Sequence, residues 1–414
     1  MFLLINTLRA RAFGQQPGSI VEANIRNLYF EILFAATLGA IITYNALFVV
    51  RLGASTALVG ILSAAPALVV ALTSIPSARY LERKIHRKAW MINSLLFMRL
   101  GYLVVVALPL FVPLNVAAVL LVLWLIILNV PNAFFTNGFN AMLADLIPAQ
   151  RRAFVFSRRA IIWSLAIVVA LTFAGRWLDT ASFPMNYQVL YLVGVIIAMG
   201  SQFFLMRLQV PDAVVVARPV TKLVVPPIKL SRPMINILVN SFVYQLGLQL
   251  SGPLFVIYYT GTLKVTDGMI SLNTAAGTLG VVFGLILWEA VLRKRSYTWV
   301  LRAATLGTWM FPFTLAFSHN FTLIIVANFV VNLLHPAVDL STLNVMLNLS
   351  KPEERNVNMS YYTTVVNISM FIGPLAAVPL SIWIGIPGVM LIAAILRICG
   401  GVLFQINRVP ETTN

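Results

Sequence analysis

The sequence predicts an all-α membrane protein with twelve transmembrane helices in two six-helix, pseudo-symmetric bundles. Of its 414 residues, 60% are hydrophobic and 10% are charged, and the mean hydropathy is +0.91. A water-soluble domain carries roughly a quarter charged residues, so most of this surface must face a bilayer. The apolar residues also form twelve stretches of about the 20 residues that a spanning helix needs.

The fifth and ninth apolar stretches are the least secure, because Arg158, Arg159, Arg176 and Arg302 crowd their ends. The predicted spans are residues 28–50, 57–76, 89–110, 115–144, 157–177, 187–207, 233–259, 268–290, 298–318, 320–349, 357–382 and 384–407.

Basic residues are distributed unequally between the two sides of these spans. Of 29 Lys and Arg residues, 24 lie on the side of both termini and the even-numbered loops, and 3 lie on the other side. An excess of Lys and Arg marks the cytoplasmic side, so we expect both termini in the cytoplasm of a bacterial cell, with the chain in its inner membrane. The net charge of +17 then reflects residues beside anionic lipid headgroups, and we expect no nucleic-acid partner.

The chain divides into two halves around a basic, proline-rich segment. We predict an amino-terminal cytoplasmic segment (1–27), a first bundle (28–208), a cytoplasmic linker (209–232), a second bundle (233–407) and a cytoplasmic tail (408–414). The apolar run before Arg9 is too short for a signal peptide, so we expect the amino terminus to be retained.

The two halves resemble each other in sequence. Residues 139–152, FNAMLADLIPAQRR, align without a gap on residues 343–356, LNVMLNLSKPEERN, with five identities in fourteen positions. Both segments follow equivalent spans, the fourth and the tenth. A duplicated six-helix unit is a known transporter design, in which two bundles move about a central site.

This layout of six spans, a basic linker and six spans resembles the major facilitator superfamily over nearly the whole chain. The loop SARYLERKIHRK after span two has the family's acid and basic residues, although Ala78 and Ile85 stand where glycines are usual. The loop after span four also resembles the family. The resemblance implies a cytoplasmic gate at Glu82, Arg83, Asp145 and Arg152. The alternative is that these residues only anchor the topology.

Two departures from the family pattern weaken a role in multidrug export. Span four lacks the buried arginine of many proton-driven drug exporters, and span five lacks the glycine-proline pattern of that branch.

The resemblance also implies that spans one, four, seven and ten line a cavity. In span ten, Asn328, Asn332, His335, Asp339 and Thr342 share one helical face. Asp339 lies about 15 Å from the helix end, and His335 is one turn away. A polar stripe at this depth must face protein or water, so Asp339 and His335 are candidates for proton coupling. Glu31 of span one is a weaker candidate. Alternatively, Arg99 or Arg397 simply neutralises Asp339.

Amide and hydroxyl side chains in the same spans are candidates for binding a neutral polar substrate, since amides both donate and accept hydrogen bonds. The competing explanation is hydrogen bonding between helices. The candidates are Asn328 and Asn332 in span ten, Tyr244, Gln245 and Gln249 in span seven, Asn132 and Thr136 in span four, and Tyr44 and Asn45 in span one.

The resemblance implies a secondary transporter that moves a small organic solute by alternating access, with proton coupling as a hypothesis. An enzyme is disfavoured, since we find no phosphate loop, no two-histidine metal motif and no nucleophile with its base. Cys399 is the single cysteine, and we expect neither metal nor cofactor. The expected partners are the substrate, a proton or another ion, and the lipid bilayer, with the chain as a monomer. A channel, or a lipid translocator or sensor with a transporter fold, remains an alternative.

Overall fold

The computed structural model describes residues 20–82, 87–209, 230–350 and 355–407, and the regular secondary structure in these ranges is helical. The first six spans, called the first half below, begin at Ile20 and end at Met206. Their helices are Ile20–Ile42 with Asn45–Arg51 (span one), Thr56–Glu82 (two), Arg87–Phe111 (three), Leu114–Ile127 with Asn129–Leu146 (four), Ala149–Thr180 (five) and Met185–Met206 (six).

The last six spans, called the second half, begin at Arg232. Their helices are Arg232–Ile257, continued by a π-helical turn Tyr258–Thr262 (span seven), Asp267–Leu292 (eight), Tyr297–Thr305 with Met310–Phe317 (nine), Phe321–Leu349 (ten) and Arg355–Ile406 (eleven and twelve).

The prediction of twelve spans is confirmed, although composition alone identifies fewer. Within the described ranges, ten helical stretches are long and apolar enough to cross a membrane, and the last is Asn358–Ile406 with 49 residues. A straight helix of that length would measure about 74 Å, against a hydrocarbon core of about 30 Å. Gly385, with φ 73° and ψ 165°, breaks it into two spans. Span seven is 26 residues long but too polar to be among the ten.

The helix bounds explain why two spans were insecure in the sequence. Span five begins at Ala149, eight residues before the predicted start, so Arg158 and Arg159 lie inside the helix. Span nine is interrupted between Thr305 and Met310. Both spans are helical at the predicted places.

Helices pack within each half, and the two halves are joined mainly by two helix pairs. Span one packs on spans five and six, and span eight packs on span ten. Across the halves, span five lies along span eight, and span two lies along span eleven. Glycines allow both approaches: a Cβ on Gly175 would lie 2.6 Å from Ser271 Cβ, and a Cβ on Gly60 would lie 2.6 Å from Val378 Cγ2.

The helix ends define two faces of the molecule. The basic face carries the loops after spans two, four, six, eight and ten, where most of the Lys and Arg residues lie, and it is the predicted cytoplasmic side. The opposite face carries the loops after spans one, three, five, seven, nine and eleven.

Candidate functional site

A central cavity of about 570 Å³ lies between the two halves. This volume is within the range of small-molecule sites, about 300–1,000 Å³. Its wall combines polar side chains with aromatic rings and contains no charged residue among those described. The polar side chains are Thr43, Tyr44, Ser164, Tyr259, Asn273, Thr274, Thr278, Asn328 and Asn332.

Two predicted substrate residues of span ten, Asn328 and Asn332, are part of this wall. Asn332 Nδ2 donates to Asn328 Oδ1 at 2.8 Å, and Asn328 Nδ2 donates to the Asn273 carbonyl at 2.9 Å. Gly277 of span eight leaves room for both amides, since a Cβ there would lie 2.8 Å from Asn328 Nδ2 and 3.0 Å from Asn332 Nδ2. The two asparagines are therefore held in fixed positions at the cavity.

Asn273 of span eight also faces the cavity, and the sequence analysis missed it. Its side chain is buried, and Nδ2 donates to the Tyr259 hydroxyl oxygen at 3.3 Å. Its Oδ1 atom accepts no hydrogen bond from any described residue. A buried acceptor without a partner costs about 1–3 kcal/mol, so this atom is suited to a donor group on a bound solute. Nothing in the family pattern directed attention to span eight.

At the opposite face, side chains from the two halves bind each other directly. Arg51 donates to Asp267 Oδ1 from Nη2 at 2.6 Å and from Nε at 3.1 Å. The Tyr187 hydroxyl donates to the other carboxylate oxygen, Oδ2. One turn into span eight, Ser271 Oγ accepts from the hydroxyl of Tyr44 at 2.6 Å. Tyr44, a predicted substrate residue, thus lines the cavity and also joins the halves.

Asp179 at the end of span five adds a second connection at this face. Its Oδ1 accepts from the Gly268 amide at 2.8 Å, and its Oδ2 accepts from Thr266 Oγ1 at 3.0 Å. A carboxylate is favourable there because the amino-terminal end of a helix carries partial positive charge. We call Arg51, Tyr187, Asp179 and Asp267 the latch. It joins the two halves at the opposite face.

The sequence contained a signal for the latch that was not used. Arg51 was counted only as one of three basic residues on the opposite side, and the acids Asp179 and Asp267 were not singled out. Both acids lie at span ends on the side where charge is rare.

Asp339 is exposed, although it lies ten residues from the end of span ten. It is close enough to Tyr244 of span seven and Tyr362 of span eleven to act on them electrostatically. Within the described ranges it forms no hydrogen bond or ion pair, and none joins it to His335. The structure therefore places the acid in open space, with no counter-ion among the described residues.

Arg397, considered above as a neutralising partner of Asp339, is satisfied by other groups. It is buried and donates to the Thr308 carbonyl at 2.9 Å, to Ser251 Oγ at 3.0 Å and to the Gly247 carbonyl at 3.3 Å. His335 is half-buried and lies near the guanidinium of Arg397.

Glu31 is in a different environment from Asp339. It is buried, forms an ion pair with Arg159 at 2.9 Å, and accepts from Ser201 Oγ at 3.0 Å. Ser201 in turn accepts from Arg99 Nη2 at 2.7 Å. This carboxylate is held in a polar cluster inside the first half, which also lines a second pocket together with Asn132.

The remaining candidates of spans one and four have partners in their own half. Asn45 accepts from the Tyr191 hydroxyl at 2.8 Å and donates to the Tyr102 hydroxyl oxygen at 3.3 Å. Thr136 donates to the Asn132 carbonyl one turn earlier, at 2.9 Å.

The three candidates of span seven pack against spans eleven and twelve. Tyr244 is buried against Gly400, and Gln249 contacts Gly373. Gln245 hydrogen bonds to the Tyr362 side chain.

The predicted gate at the basic face is only partly within the described structure. Arg152 Nε donates to the Ile147 carbonyl of its own half at 2.9 Å. The side chains of Glu82 and Asp145, and the whole of Arg83, lie outside the described residues, so this gate stays a prediction. Among the described residues, spans four and ten do not pack on each other to the extent that spans five and eight do.

Solved structures of transporters share this fold over nearly the whole chain. A bacterial homologue of the human lysosomal transporter Spinster, inward-facing and unoccupied, matches with a TM-score of 0.65 at 14% identity, covering 96% of this chain and 100% of that one. The nucleoside transporter NupG matches at 0.69 and 12% identity, covering 93% and 98%. The inward-open xylose transporter XylE from E. coli matches at 0.68 and 12% identity, covering 94% and 95%. At these identities the likeness shows the fold alone.

Comparison with curated protein sequences gives no match. The family model of the Major Facilitator Superfamily, in contrast, matches residues 30–236 and again residues 237–414, which together are almost the whole chain. This agrees with the helical fold and with the resemblance read from the sequence. The chain belongs to the major facilitator superfamily, a family of membrane transporters rather than enzymes.

Proposed function

We propose that this protein is a secondary active transporter that moves a small organic solute across the bacterial cytoplasmic membrane by alternating access. The observation that carries the proposal is a central cavity walled by both halves and closed at one face by the latch. With the termini in the cytoplasm, the latch is on the outer side, and the described arrangement is closed to the outside.

The cavity wall supports a substrate with uncharged polar groups. Asn328 and Asn332 are held as a pair, and Asn273 presents a free acceptor. Phe255, Tyr259 and Phe311 supply apolar area around these groups. Hydroxyl or amide groups on the solute would complete the hydrogen bonds, while its carbon skeleton would contact the rings.

Proton coupling through Asp339 is the second part of the proposal. In the described arrangement its carboxylate is exposed and unpaired among the described residues. When the basic face closes, water leaves this space, and removal of water favours the neutral, protonated carboxyl group. The same residue could then release its proton when the cavity opens again. Glu31 is less suited, because it is held in a buried ion pair with Arg159 and accepts a hydrogen bond from Ser201.

Saturable counterflow tests the transport activity. A thermal-shift screen of the purified protein against a metabolite library first identifies a ligand, which is then loaded into proteoliposomes. We expect unlabelled ligand inside to drive transient, saturable accumulation of labelled ligand from outside. A channel would equilibrate the label without saturation, and absence of any ligand-dependent flux would refute the proposal.

Asp339→Asn tests the coupling in the same vesicles. We expect it to abolish accumulation driven by a pH gradient and to leave counterflow intact, because exchange of substrate needs no net proton movement. Glu289→Gln is the matched control, since Glu289 is an exposed acid of span eight whose described ion pair is with Arg293. Proton-driven accumulation at the wild-type rate in Asp339→Asn would exclude this coupling role.

A lipid translocator is the second candidate, and one observation favours it. A groove of about 920 Å³ lies between spans one, five and six, and its wall is almost entirely apolar, including Leu33, Phe34, Val169 and Phe173. A groove of this kind could hold acyl chains. Flipping of a headgroup-labelled lipid in proteoliposomes, without solute counterflow, would favour this function over solute transport.

A further inference from the structure

A second pocket of about 310 Å³ lies inside the first half, between spans one, three, four and five. Trp163 belongs to its wall and also to the wall of the central cavity, so the two cavities are neighbours that share this side chain. Its polar lining consists of Glu31, Arg99, Asn129, Asn132, Arg159 and Tyr102.

The charged groups of this pocket do not balance. Two guanidinium groups, Arg99 and Arg159, share one carboxylate, that of Glu31. All three side chains are buried, at 3%, 8% and 3% exposure for Arg99, Arg159 and Glu31. A charge inside a membrane protein is costly unless an opposite charge accompanies it. The pocket therefore carries one positive charge that no described acid offsets.

The two arginines also have hydrogen-bond donors to spare. Arg99 donates from Nη1 to Gln202 and from Nη2 to Ser201, and Arg159 donates from Nη1 to the Leu28 carbonyl. In the described ranges, Arg99 Nε and Arg159 Nε and Nη2 donate to no acceptor. A guanidinium has five N–H groups and matches the two oxygens of a carboxylate.

We propose that this pocket binds a carboxylate group of the transported solute, held by Arg99 and Arg159, and that the cargo is a small organic monoanion. The inference rests on the transport function proposed above and specifies its substrate class. Phe135, Phe139 and Trp163 line the pocket and would contact the carbon skeleton. The uncharged groups of the same solute are suited to the asparagines of the central cavity.

Acid and amide pairs test the charge preference. The melting temperature of the purified full-length protein is measured with each member of three acid and amide pairs, at about 10 mM and equal ionic strength. The pairs are phenylacetate and phenylacetamide, lactate and lactamide, and gluconate and gluconamide. A solute bound with a Kd of about 1 mM raises the melting temperature by roughly 2 °C at this concentration. We expect at least one acid to stabilise the protein by this amount and its amide to have no effect.

Asn132→Asp is the decisive variant. Asn132 lines the pocket, and the isosteric carboxylate would supply the missing negative charge, so we expect a folded protein that has lost the preference for acids. Asn344→Asp, the same substitution on span ten, is the matched control and should keep the preference. Arg99→Gln should also abolish it, whereas Arg397→Gln, which removes a buried arginine outside the pocket, should not.

Several results would overturn the inference. They are equal stabilisation by acid and amide, no stabilisation by any of the three acids, or a preference for acids that persists in Asn132→Asp. If the preference for acids persists in Asn132→Asp, the positive charge of Arg99 and Arg159 is already balanced by Glu31 and by the dipoles of Ser201 and Gln202. Counterflow of a neutral ligand together with these results would leave the transport function standing. Acid binding without counterflow would instead remove the transport function alone.

Discussion

Asp267→Asn should open the opposite face of the protein, where the latch lies. Asp267 is the acid to which both Arg51 and Tyr187 donate, and it lies at the boundary between the halves. Hydrogen bonds to charged groups contribute about 1.5–3 kcal/mol, and neutral ones about half of that. The Arg51 side chain is 35% exposed, so water screens part of the interaction. We therefore expect the closed state to lose about 1–2 kcal/mol, a factor of about 5–30 in the equilibrium.

The expected change in population is large enough to measure. If the outward-open state is about 1% populated in the wild type, this factor raises it to between about 5% and about 23%. Spin labels at Ser182→Cys and Thr262→Cys, in a Cys399→Ser background, report the distance between the halves at the opposite face. Both label positions are exposed, one in each half.

Glu289→Gln serves as the control, because it neutralises an acid of the same span whose ion pair with Arg293 is exposed to solvent. Exposed ion pairs contribute little, so the distance distribution should not change. The reasoning is refuted if Asp267→Asn leaves the distribution as in the wild type, or if Glu289→Gln broadens it equally.

Two further predictions concern stability. Gly280→Ala should lower the melting temperature, because a Cβ there meets the Phe329 carbonyl of span ten and overpacking costs about 1–3 kcal/mol. Gly252→Ala is the control and should be neutral or slightly stabilising, since a Cβ there meets nothing within 4 Å. An equal fall in melting temperature in both variants would contradict this prediction. Glu31→Gln should cost about 3–5 kcal/mol because Arg159 would be buried without its counter-ion, and the double variant with Arg159→Met should regain part of this loss. If the Glu31→Gln protein melts at the same temperature as the wild type, the ion pair contributes nothing to stability.

Three of the nine polar residues in the cavity wall, Tyr44, Asn328 and Asn332, are candidates from the sequence, but the partners of each residue could not be predicted. The polar spacing in span ten singles out Asn328 and Asn332, and both line the central cavity. The same spacing grouped Asp339 with them, yet Asp339 does not line the cavity wall and faces Tyr244 and Tyr362. A shared helical face says which side chains lie in line, and it does not say which helices they meet.

The latch shows the same limit over a longer separation. Arg51 and Asp267 are 216 positions apart, and Tyr187 and Asp267 are 80 apart. Nothing local in the chain links such residues, so the sequence presents Arg51 and Asp267 only as isolated charges and Tyr187 only as one aromatic residue among many. The gate at the basic face was predicted from a family pattern, whereas the latch was identified from contacts in the structure.

By itself, the sequence determined that the chain lies in a membrane and how many times it crosses, and it predicts two related halves. These properties depend on hydropathy, helical length and charge, which are summed along neighbouring residues. The tertiary structure alone decided that Glu31 has a counter-ion, that Asp339 has none among the described residues, and that Arg51 and Asp267 join the halves at the opposite face. A buried polar group is stabilised by the atoms it touches, and in this protein those atoms come from distant parts of the chain.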